Sequence, residues 1–355
     1  MKKKVLIFGY SRANFGDDFF VYILLKKYEN IDFYIHIKED KYKEALKKFD
    51  NIHFLEEDRY VDNINIDNYD SYIYIGGSIF IESEYSKHEV VEFTKFAEKC
   101  KQNSKPLFYM TCNFGPYKTN QYLNDVRKLF EICGGICLRD TDSYNRFSDI
   151  DSVSYAPDIA LSYDVKKYEK NKKNKTIGIS IIDLSIRDNI KDKEEIYNDY
   201  IKRIVIKFAK RGYDVSLISF CKFEEDENAI EKIIKIIPEE YKTKVKVLKY
   251  TDDIEKFIEE YSSLKYMVCT RFHSMILSTM LRQKVYNLSY SKKIDNVIDD
   301  LKLPYKVDDI NEMNYDIRLR KFYFKKISKR KLNKIKIMAN KQFEAFEKWI
   351  ESTNI

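Results

Sequence analysis

The chain has 355 residues, of which 44% are hydrophobic and 34% are charged, and its formal net charge is +7. This length favours two domains of ordinary size, and the apolar fraction can fill sizeable cores, which excludes a disordered chain. The charge is too modest to indicate nucleic-acid binding, and no run approaches the ~20 apolar residues of a membrane span. The six cysteines form no CxxC pair, a pattern typical of a reducing compartment and not of disulfides or a zinc site. We therefore expect a cytoplasmic protein that holds no metal.

The first half of the chain alternates short apolar runs with helical stretches. KVLIFG (4–9) is typical of a buried strand, and a helix is predicted from about Asp17 to Tyr28. Further strands are predicted at 31–38, 69–77, 105–112 and 134–140, with helices at 88–102 and 119–132. Strands that alternate with helices form βαβ units and a parallel sheet. Residues 1–165 are therefore predicted to form a first Rossmann-like domain.

A polar stretch interrupts this rhythm before the alternation resumes. DVKKYEKNKKNK (164–175) predicts a linker over residues 166–175. After it, strands are predicted at 176–182, 213–220, 244–250, 265–270 and 284–290, with a long helix around 193–211. We expect a second Rossmann-like domain over 176–310, so that two α/β domains with parallel sheets face each other across a cleft.

The C-terminal residues 311–355 are predicted to form a basic helical segment. Between Arg318 and Gln342 the segment has many bases and no acid. Its apolar residues recur at helical spacing: Leu332, Ile335, Ala339, Phe343, Phe346 and Ile350. A helix docked by this stripe, with a solvated basic face, is the simpler interpretation. The alternative is attraction of the basic face to anionic membrane lipid or to a pyrophosphate-bearing acceptor.

The loop after the first strand, GYSRANFGDD, is a candidate ligand site. Parallel sheets bind ligands at the carboxyl ends of their strands. Gly16 permits a close approach to the backbone, Asn14 can brace the loop, and Asp17 can cap the following helix. The loop lacks the GxGxxG pattern, which argues against a dinucleotide site. A plain loop with an aspartate cap is the alternative.

Other strand ends of the first domain also carry glycine and polar residues. Gly76, Gly77 and Ser78 follow one strand, and Gly115 follows the next. Arg139 comes directly after a further strand, where its planar fork can hold a carboxylate or a phosphate. The alternatives are strand-ending turns and a surface ion pair.

In the second domain the segment CTRFHSMILSTM (269–280) places Arg271, His273 and Ser274 where a strand runs into a helix. Arg271 and His273 share one face if the alternation of the strand persists to this point. The run from Met275 to Met280 is typical of a buried helix. About one βα unit later, Lys293 follows the next strand. This arrangement predicts an anion site beside a proton donor, although a packed helix start is the plain alternative.

In this order the motifs resemble the polysaccharide pyruvyl transferase family. The matching pieces are Asn14-x-Gly16-Asp17, Gly76-Gly77, Gly115-Pro116, Arg139-Asp140 with Ser143, Pro157-Asp158, Arg271-Phe272-His273-Ser274 and the lysines 292–293. The resemblance implies a GT-B-like fold and transfer of a pyruvyl group from phosphoenolpyruvate to a sugar of a cell-surface polysaccharide or its precursor. The acceptor it implies is a glycan or a lipid-linked sugar, and no cofactor is expected. Ser78 stands where the family has a third glycine.

The resemblance also implies roles for individual residues. Arg271 and His273 fall on the catalytic pair of the family, while Arg139, Lys293 and Ser274 fall on donor-binding positions. The glycine-rich strand ends of the first domain, with Asn14, Asp17 and Ser78, then line the pocket or contact the acceptor. Phosphoenolpyruvate carries a carboxylate and a phosphate, so its site needs two cationic groups. Histidine is suited to deliver the proton that ketal formation requires, and Asp17 is a second choice, as a base.

Two other functions fit the same pattern. One is a GT-B-type glycosyltransferase that uses a nucleotide-sugar, and the other is a non-catalytic module that binds a glycan or an anion. Substitution of His273 or Arg271 by alanine is expected to abolish phosphate release without unfolding the protein. Stabilisation by a nucleotide alone would favour the glycosyltransferase.

Overall fold

The computed structural model describes residues 2–9, 13–56, 61–169, 174–314 and 322–353. It divides the chain into two compact units. The first unit comprises Met1–Ser11, Asp17–Tyr163 and Ile335–Ile355, and the second comprises Arg12–Gly16 and Asp164–Lys334. Each unit contains one parallel sheet covered by helices, so the predicted α/β class with two Rossmann-like units is confirmed.

The first unit is built on a seven-stranded parallel sheet of order β3-β2-β1-β4-β5-β6-β7. Its strands are β1 (Lys3–Gly9), β2 (Ile31–His36), β3 (Ile52–Leu55), β4 (Ser71–Ile75), β5 (Leu107–Cys112), β6 (Gly135–Leu138) and β7 (Val153–Tyr155). Every residue of β4 and β5 is buried, because helices cover both faces of the sheet, and this explains their continuous apolar runs. The strand order reverses between β1 and β4, which marks the point where such sheets bind ligands.

The described part of the first unit has four helices between its strands, and three of them begin at side-chain caps. They are α1 (Phe15–Lys27, of which residues 17–27 belong to this unit), α2 (Glu84–Gln102), α3 (Asn120–Ile132) and α4 (Thr141–Asn145). Ser83 and Ser86 form a capping box at the start of α2, and Thr119 caps α3. Short 3₁₀ turns lie at Asp40–Tyr42, Val61–Asn63, Ile66–Asn68 and Ile159–Ser162.

The second unit contains a six-stranded parallel sheet of order β10-β9-β8-β11-β12-β13. Its strands are β8 (Thr176–Ser180), β9 (Asp214–Ser219), β10 (Val245–Lys249), β11 (Tyr266–Cys269), β12 (Lys284–Ser289) and β13 (Val307–Asp309). Its helices are α5 (Glu194–Ala209), α6 (Asp226–Ile236), α7 (Glu239–Lys242), α8 (Ile254–Ser262), α9 (Phe272–Met280) and α10 (Lys292–Asp300). Its 3₁₀ turns are Lys166–Tyr168, Lys191–Lys193 and Ile310–Glu312. The strand order reverses between β8 and β11, so the start of α9 lies at the second switch point.

The C-terminal segment departs from the predicted division into domains. It contains α11 (Lys329–Ala339), a 3₁₀ turn (Asn340–Phe343) and α12 (Glu344–Ser352), and residues from Ile335 onward belong to the first unit. Four residues of the predicted apolar stripe are buried there (Ile335, Ala339, Phe343 and Phe346), whereas Ile350 is half-buried and Leu332 lies in the second unit. Phe346 is fully buried, with its ring 5.3 Å from that of Tyr28 and 5.5 Å from that of Phe108. The segment therefore completes the first unit and is not a separate one.

Two further predicted boundaries change in the structure. Residues 12–16 belong to the second unit, because Phe15 packs in its core against Phe220, Tyr250 and Phe257. The predicted linker 166–175 begins with a 3₁₀ turn, and its residues 170–173 lie outside the described part of the chain, as do residues 315–321 and 354–355 of the basic segment.

Candidate active site

In the first unit, Arg139 lies buried at the carboxyl ends of the strands, with 4% of its surface exposed. It follows β6 directly, and its backbone N–H donates to the carbonyl of Cys112 at the end of β5 (2.9 Å). The strand order therefore brings Arg139 to the same edge of the sheet as Gly76 and Gly77, which directly follow β4. This confirms its predicted place at a strand end.

The guanidinium of Arg139 is held by polar groups of three neighbouring strand ends. Nη1 donates to Asp158 Oδ2 (2.9 Å), while Nη2 donates to Asn113 Oδ1 (2.8 Å) and lies 3.4 Å from Ser78 Oγ. A Cβ atom on Gly77 would lie only 2.6 Å from Nη1. Gly77 is therefore required by the arginine, which packs flat against its backbone. The carboxylate of Asp158 forms a buried ion pair with this cation.

Asp140 and Ser143, next to this arginine, are structural residues. Asp140 caps α4 by accepting the N–H of Ser143 (2.7 Å). The hydroxyl of Ser143 in turn accepts the N–H of Phe114 (2.8 Å). These bonds fix the loop after β5 against the start of α4.

In the second unit, Arg271 lies at the start of α9, and two carboxylates engage its guanidinium. Nε and Nη2 donate to the two oxygens of Asp226, and Nη1 donates to Glu224. Glu224 also accepts from Arg187 (2.5 Å). The N–H groups of Phe220 and Cys221, at the end of β9, both donate to Asp226 Oδ2 (3.0 Å). We call Arg187, Glu224, Asp226 and Arg271 the arginine–carboxylate cluster.

Burial and charge act in opposite directions on the two carboxylates of the cluster. Burial raises the pKa of Asp226 to about 6, although Arg271 and the two backbone N–H groups oppose the shift. Burial also acts to raise the pKa of Glu224, but Arg271 and Arg187 outweigh it and hold this pKa at about 2. Both carboxylates are therefore ionised at pH 7 and balance the charges of the two arginines.

This balance bears on the predicted role of Arg271 in anion binding. Its fork is already occupied by carboxylate oxygens, and 8% of the residue is exposed. An incoming phosphate would compete with Asp226 and Glu224 for the same N–H groups. The arrangement favours Arg271 as the residue that positions the start of α9, where the hydroxyl of Ser180 also accepts the backbone N–H groups of Thr270 (2.8 Å) and Arg271 (3.1 Å).

His273 lies in the first turn of α9, and its ring rests on the backbone of Gly16. A Cβ atom on Gly16 would lie 1.8 Å from His273 Nδ1, so only glycine fits beneath the ring. The N–H of Gly16 donates to Asn14 Oδ1 (2.9 Å), and Asn14 pairs through its backbone with Cys221. The predicted bracing role of Asn14 is confirmed by these bonds.

The strand alternation on which a shared face of Arg271 and His273 was conditional does not persist to these residues. β11 ends at Cys269, and Arg271 already occupies the cap position of α9, so strand alternation does not reach His273. Both residues nevertheless lie near the end of β9. Arg271 bonds Asp226, which accepts the N–H groups of Phe220 and Cys221 at the end of β9. The ring of His273 rests on Gly16, close to the backbone pairing of Asn14 with Cys221.

The remaining predicted site residues occupy different environments. Ser274 is fully buried in α9 with its hydroxyl 3.0 Å from that of Tyr261, a placement that favours a packing role over donor binding. Lys293 is half-buried in the first turn of α10, and Asp17 is half-buried in the first turn of α1. Gly115 has a φ of +90°, in the left-handed region that favours glycine. Asn113 was not among the residues predicted for the site. Its Oδ1 accepts hydrogen bonds from Ser78 Oγ (3.1 Å) and from Arg139 Nη2.

Sequence reasoning also missed the carboxylates that hold Arg271. In the sequence, the run EEDE (224–227) is typical of acidic residues at a helix N-terminus. Asp226 is indeed the first residue of α6, but its side chain is fully buried and bonds Arg271. The signal available was an acidic run shortly after the end of β9, which only β8 separates from the strand that precedes the arginine.

Within the described residues, no group of three His, Cys, Asp or Glu side chains is arranged to hold a metal ion. No helix of this described part is both long and apolar enough to cross a membrane. All six cysteines are buried free thiols.

The sequence matches the model of one protein family over most of its length. The family described as polysaccharide pyruvyl transferase is matched over residues 14–292. The match includes both arginines, His273, and the glycines after β4 and β5.

Solved structures share the two-unit fold at low sequence identity. Anabaena HepE in complex with UDP and glucose is 11% identical, with 99% of each chain covered and a TM-score of 0.55. A putative UDP-N-acetylglucosamine 2-epimerase from Listeria monocytogenes is 11% identical, with 99% of this chain and 98% of that chain covered and a TM-score of 0.57. The UDP-GlcNAc 2-epimerase of Methanocaldococcus jannaschii, in complex with UDP-GlcNAc and UDP, is also 11% identical, with 96% and 93% covered and a TM-score of 0.54. These likenesses support the predicted GT-B-like fold.

Proposed function

Because the chain belongs to the polysaccharide pyruvyl transferase family, we propose that it transfers the pyruvyl group of phosphoenolpyruvate to two hydroxyls of a sugar, forming a cyclic ketal. The observation that carries the proposal is the placement of His273. Its ring rests on Gly16 in the first turn of α9, at the switch point of the second sheet. At the switch point of a parallel sheet, ligands bind to the loops and helix N-termini that follow the strands.

The chemistry requires one proton to be delivered to carbon and two hydroxyl protons to be removed. His273 protonates the methylene carbon of phosphoenolpyruvate, and the first sugar hydroxyl adds to the neighbouring carbon with loss of its proton. The bond from that carbon to the phosphate oxygen then breaks, and phosphate leaves. The second hydroxyl closes the ring, and its proton leaves with the phosphate, while the proton of the first hydroxyl restores His273. Proton transfer from a well-placed side chain is worth about 10²–10⁴-fold in rate.

The donor carries two anionic groups, for which cations near the strand ends are suited. Arg139 is proposed to bind the donor, because it is a cation at the carboxyl ends of the strands, where parallel sheets bind ligands and a planar guanidinium can hold a carboxylate or a phosphate. Lys293 is proposed as a second donor contact. Arg271 enters the proposal as a positioning residue, since Asp226 and Glu224 occupy its fork.

The acceptor is proposed to be a glycan or a lipid-linked sugar of a cell-surface polysaccharide. Asn14, Asp17 and the glycine-rich strand ends of the first unit would line its path. The enzyme would then work in the cytoplasm, where the basic exposed residues of α11 would favour an anionic membrane surface. No cofactor is required by this reaction.

Binding and turnover test the proposal together. We expect phosphoenolpyruvate to raise the melting temperature of the purified protein and UDP to leave it unchanged. Phosphate release from phosphoenolpyruvate, with methyl glycosides of glucose, galactose and N-acetylmannosamine as trial acceptors, should fall at least about 10²-fold in His273→Ala. His88→Ala, at an exposed histidine of α2, is the matched control and should keep full activity.

Two results would count against this function. Full activity of His273→Ala would remove the proposed proton donor. Stabilisation by UDP without any response to phosphoenolpyruvate would favour a glycosyltransferase that uses a nucleotide-sugar.

A further inference from the structure

Gln342, in the C-terminal segment, is a buried amide whose hydrogen bonds reach the strand ends of the first unit. Only 2% of its surface is exposed. Its Oε1 accepts the N–H of Thr111 (2.8 Å), and its Nε2 donates to the carbonyls of Ala156 (2.7 Å) and Pro157 (3.2 Å). A single side chain therefore ties the end of β5 to the segment after β7.

Both of these backbone segments lead directly to the environment of Arg139. The residue after Pro157 is Asp158, the carboxylate that accepts from Arg139 Nη1. Thr111 has a φ of +59° at an irregularity in the pairing of β5 with β6, and its hydroxyl accepts the N–H of Ile159 (3.1 Å). The two sides of Asp158 are thus fixed by Gln342 and by Thr111.

The backbone on both sides of Asp158 depends on these bonds for its position. Carbonyls buried without a partner are costly, so removing the amide would shift the segment or let water in. A displaced Asp158 would carry the guanidinium of Arg139 with it, because their ion pair is buried on both sides. Small errors in the placement of a binding group cost affinity out of proportion to the distance moved.

We propose that Gln342 is a positioning residue for Arg139, acting through Asp158. The C-terminal segment thereby takes part in donor binding without touching the donor. This inference rests on the proposed function only in naming phosphoenolpyruvate as the ligand of Arg139. The placement of Arg139 itself can be measured without any ligand.

The test uses the full chain with Gln342→Met, which keeps the side-chain length and removes all three hydrogen bonds. We expect the Kd for phosphoenolpyruvate to rise about tenfold, the usual scale for losing a second-layer partner. In protein labelled with ¹⁵N-arginine, the Nε–H signal of Arg139, assigned with Arg139→Lys, should shift. The signal of Arg271 should stay in place.

Asn51→Leu is the matched control within the same unit. Asn51 is also a buried amide, and its Nδ2 donates to the carbonyls of Leu25 (3.2 Å) and Tyr28 (3.0 Å), away from the strand ends named above. The Asn51→Leu variant should lower the melting temperature as Gln342→Met does. It should leave the Nε–H signal of Arg139 and the Kd for phosphoenolpyruvate unchanged. If Gln342→Met does not fold, Gln342→Glu is measured instead, because it retains an acceptor for Thr111.

The outcomes separate this inference from the proposed function. An Arg139 signal that moves no further in Gln342→Met than in Asn51→Leu would overturn the positioning role. A shifted signal with an unchanged Kd would also overturn it, provided that Arg139→Lys weakens binding. If the unsubstituted protein binds no phosphoenolpyruvate, the proposed function fails, and the Arg139 signal alone still decides the role of Gln342.

Discussion

Substitution of Arg271 by alanine should destabilise the second unit strongly. Asp226 is fully buried and Arg271 is 8% exposed, so the change leaves a carboxylate without its cation in the interior. Breaking a buried pair from one side costs about 3–5 kcal/mol. For a unit of this size, the loss corresponds to a fall of about 6–20 °C in melting temperature. The sequence-based expectation that Arg271→Ala leaves the fold intact is therefore replaced by a prediction of marked destabilisation.

The size of this loss should depend on pH in a defined direction. In the unsubstituted protein burial raises the pKa of Asp226 to about 6 even beside Arg271, and removing the arginine raises the pKa further. A carboxyl whose folded pKa lies above its unfolded pKa stabilises the fold at low pH and loses this contribution as pH rises through the folded value. Arg271→Ala should therefore be closest to the unsubstituted protein near pH 5 and furthest from it near pH 8.

Urea unfolding at pH 5 and pH 8 measures both effects. Arg187→Ala is the matched control, because Arg187 contacts only the partly exposed Glu224 of this cluster and should cost about 1 kcal/mol or less. The double variant Arg271→Met, Asp226→Leu should lose less than the two single changes together. Equal stability of Arg271→Ala and Arg187→Ala, or a loss that shrinks as pH rises, would refute the reasoning.

Two glycine substitutions test the packing of the other site residues. Gly16→Ala should displace the ring of His273 and lower the rate of phosphate release at least about tenfold. An unchanged melting temperature would show that the fold persists. Unchanged turnover would mean that the ring does not act from this position. Gly77→Ala should push the guanidinium of Arg139 away from Asp158, cost about 1–3 kcal/mol in urea unfolding and weaken binding of phosphoenolpyruvate. A variant as stable and as tight-binding as the parent would contradict the close contact described.

The sequence predicted most strands because buried parallel strands are continuous apolar runs. It missed β3, β7 and β13, which are short and mix apolar with polar residues, as in VDD of β13. All three are edge strands: β3 and β7 are the two edges of the first sheet, and β13 is an edge of the second. An edge strand is covered less completely, so its sequence carries a weaker apolar signal.

The site was predictable where it depends on topology and was not where it depends on contacts between distant residues. The positions of Arg139 and Arg271 at strand ends follow from the βαβ pattern alone. Asp226 turns inward to meet Arg271, whereas the adjacent Glu225 is exposed, and no periodicity in the sequence distinguishes these two acids. The docking of Phe346 on the first unit is likewise invisible, because an apolar stripe shows that a helix is buried and not against what.

The return of the C-terminal segment to the first unit has a consequence for biosynthesis. The rings of Phe343 and Phe346 and the amide of Gln342 are part of the core of this unit, yet the ribosome makes them only after the whole second unit. The sheet formed by residues 3–155 must therefore wait, with an open face, while about half of the chain is still being translated. A chain released early would lack the pieces that close that face, and its exposed apolar surface would mark it for proteolysis.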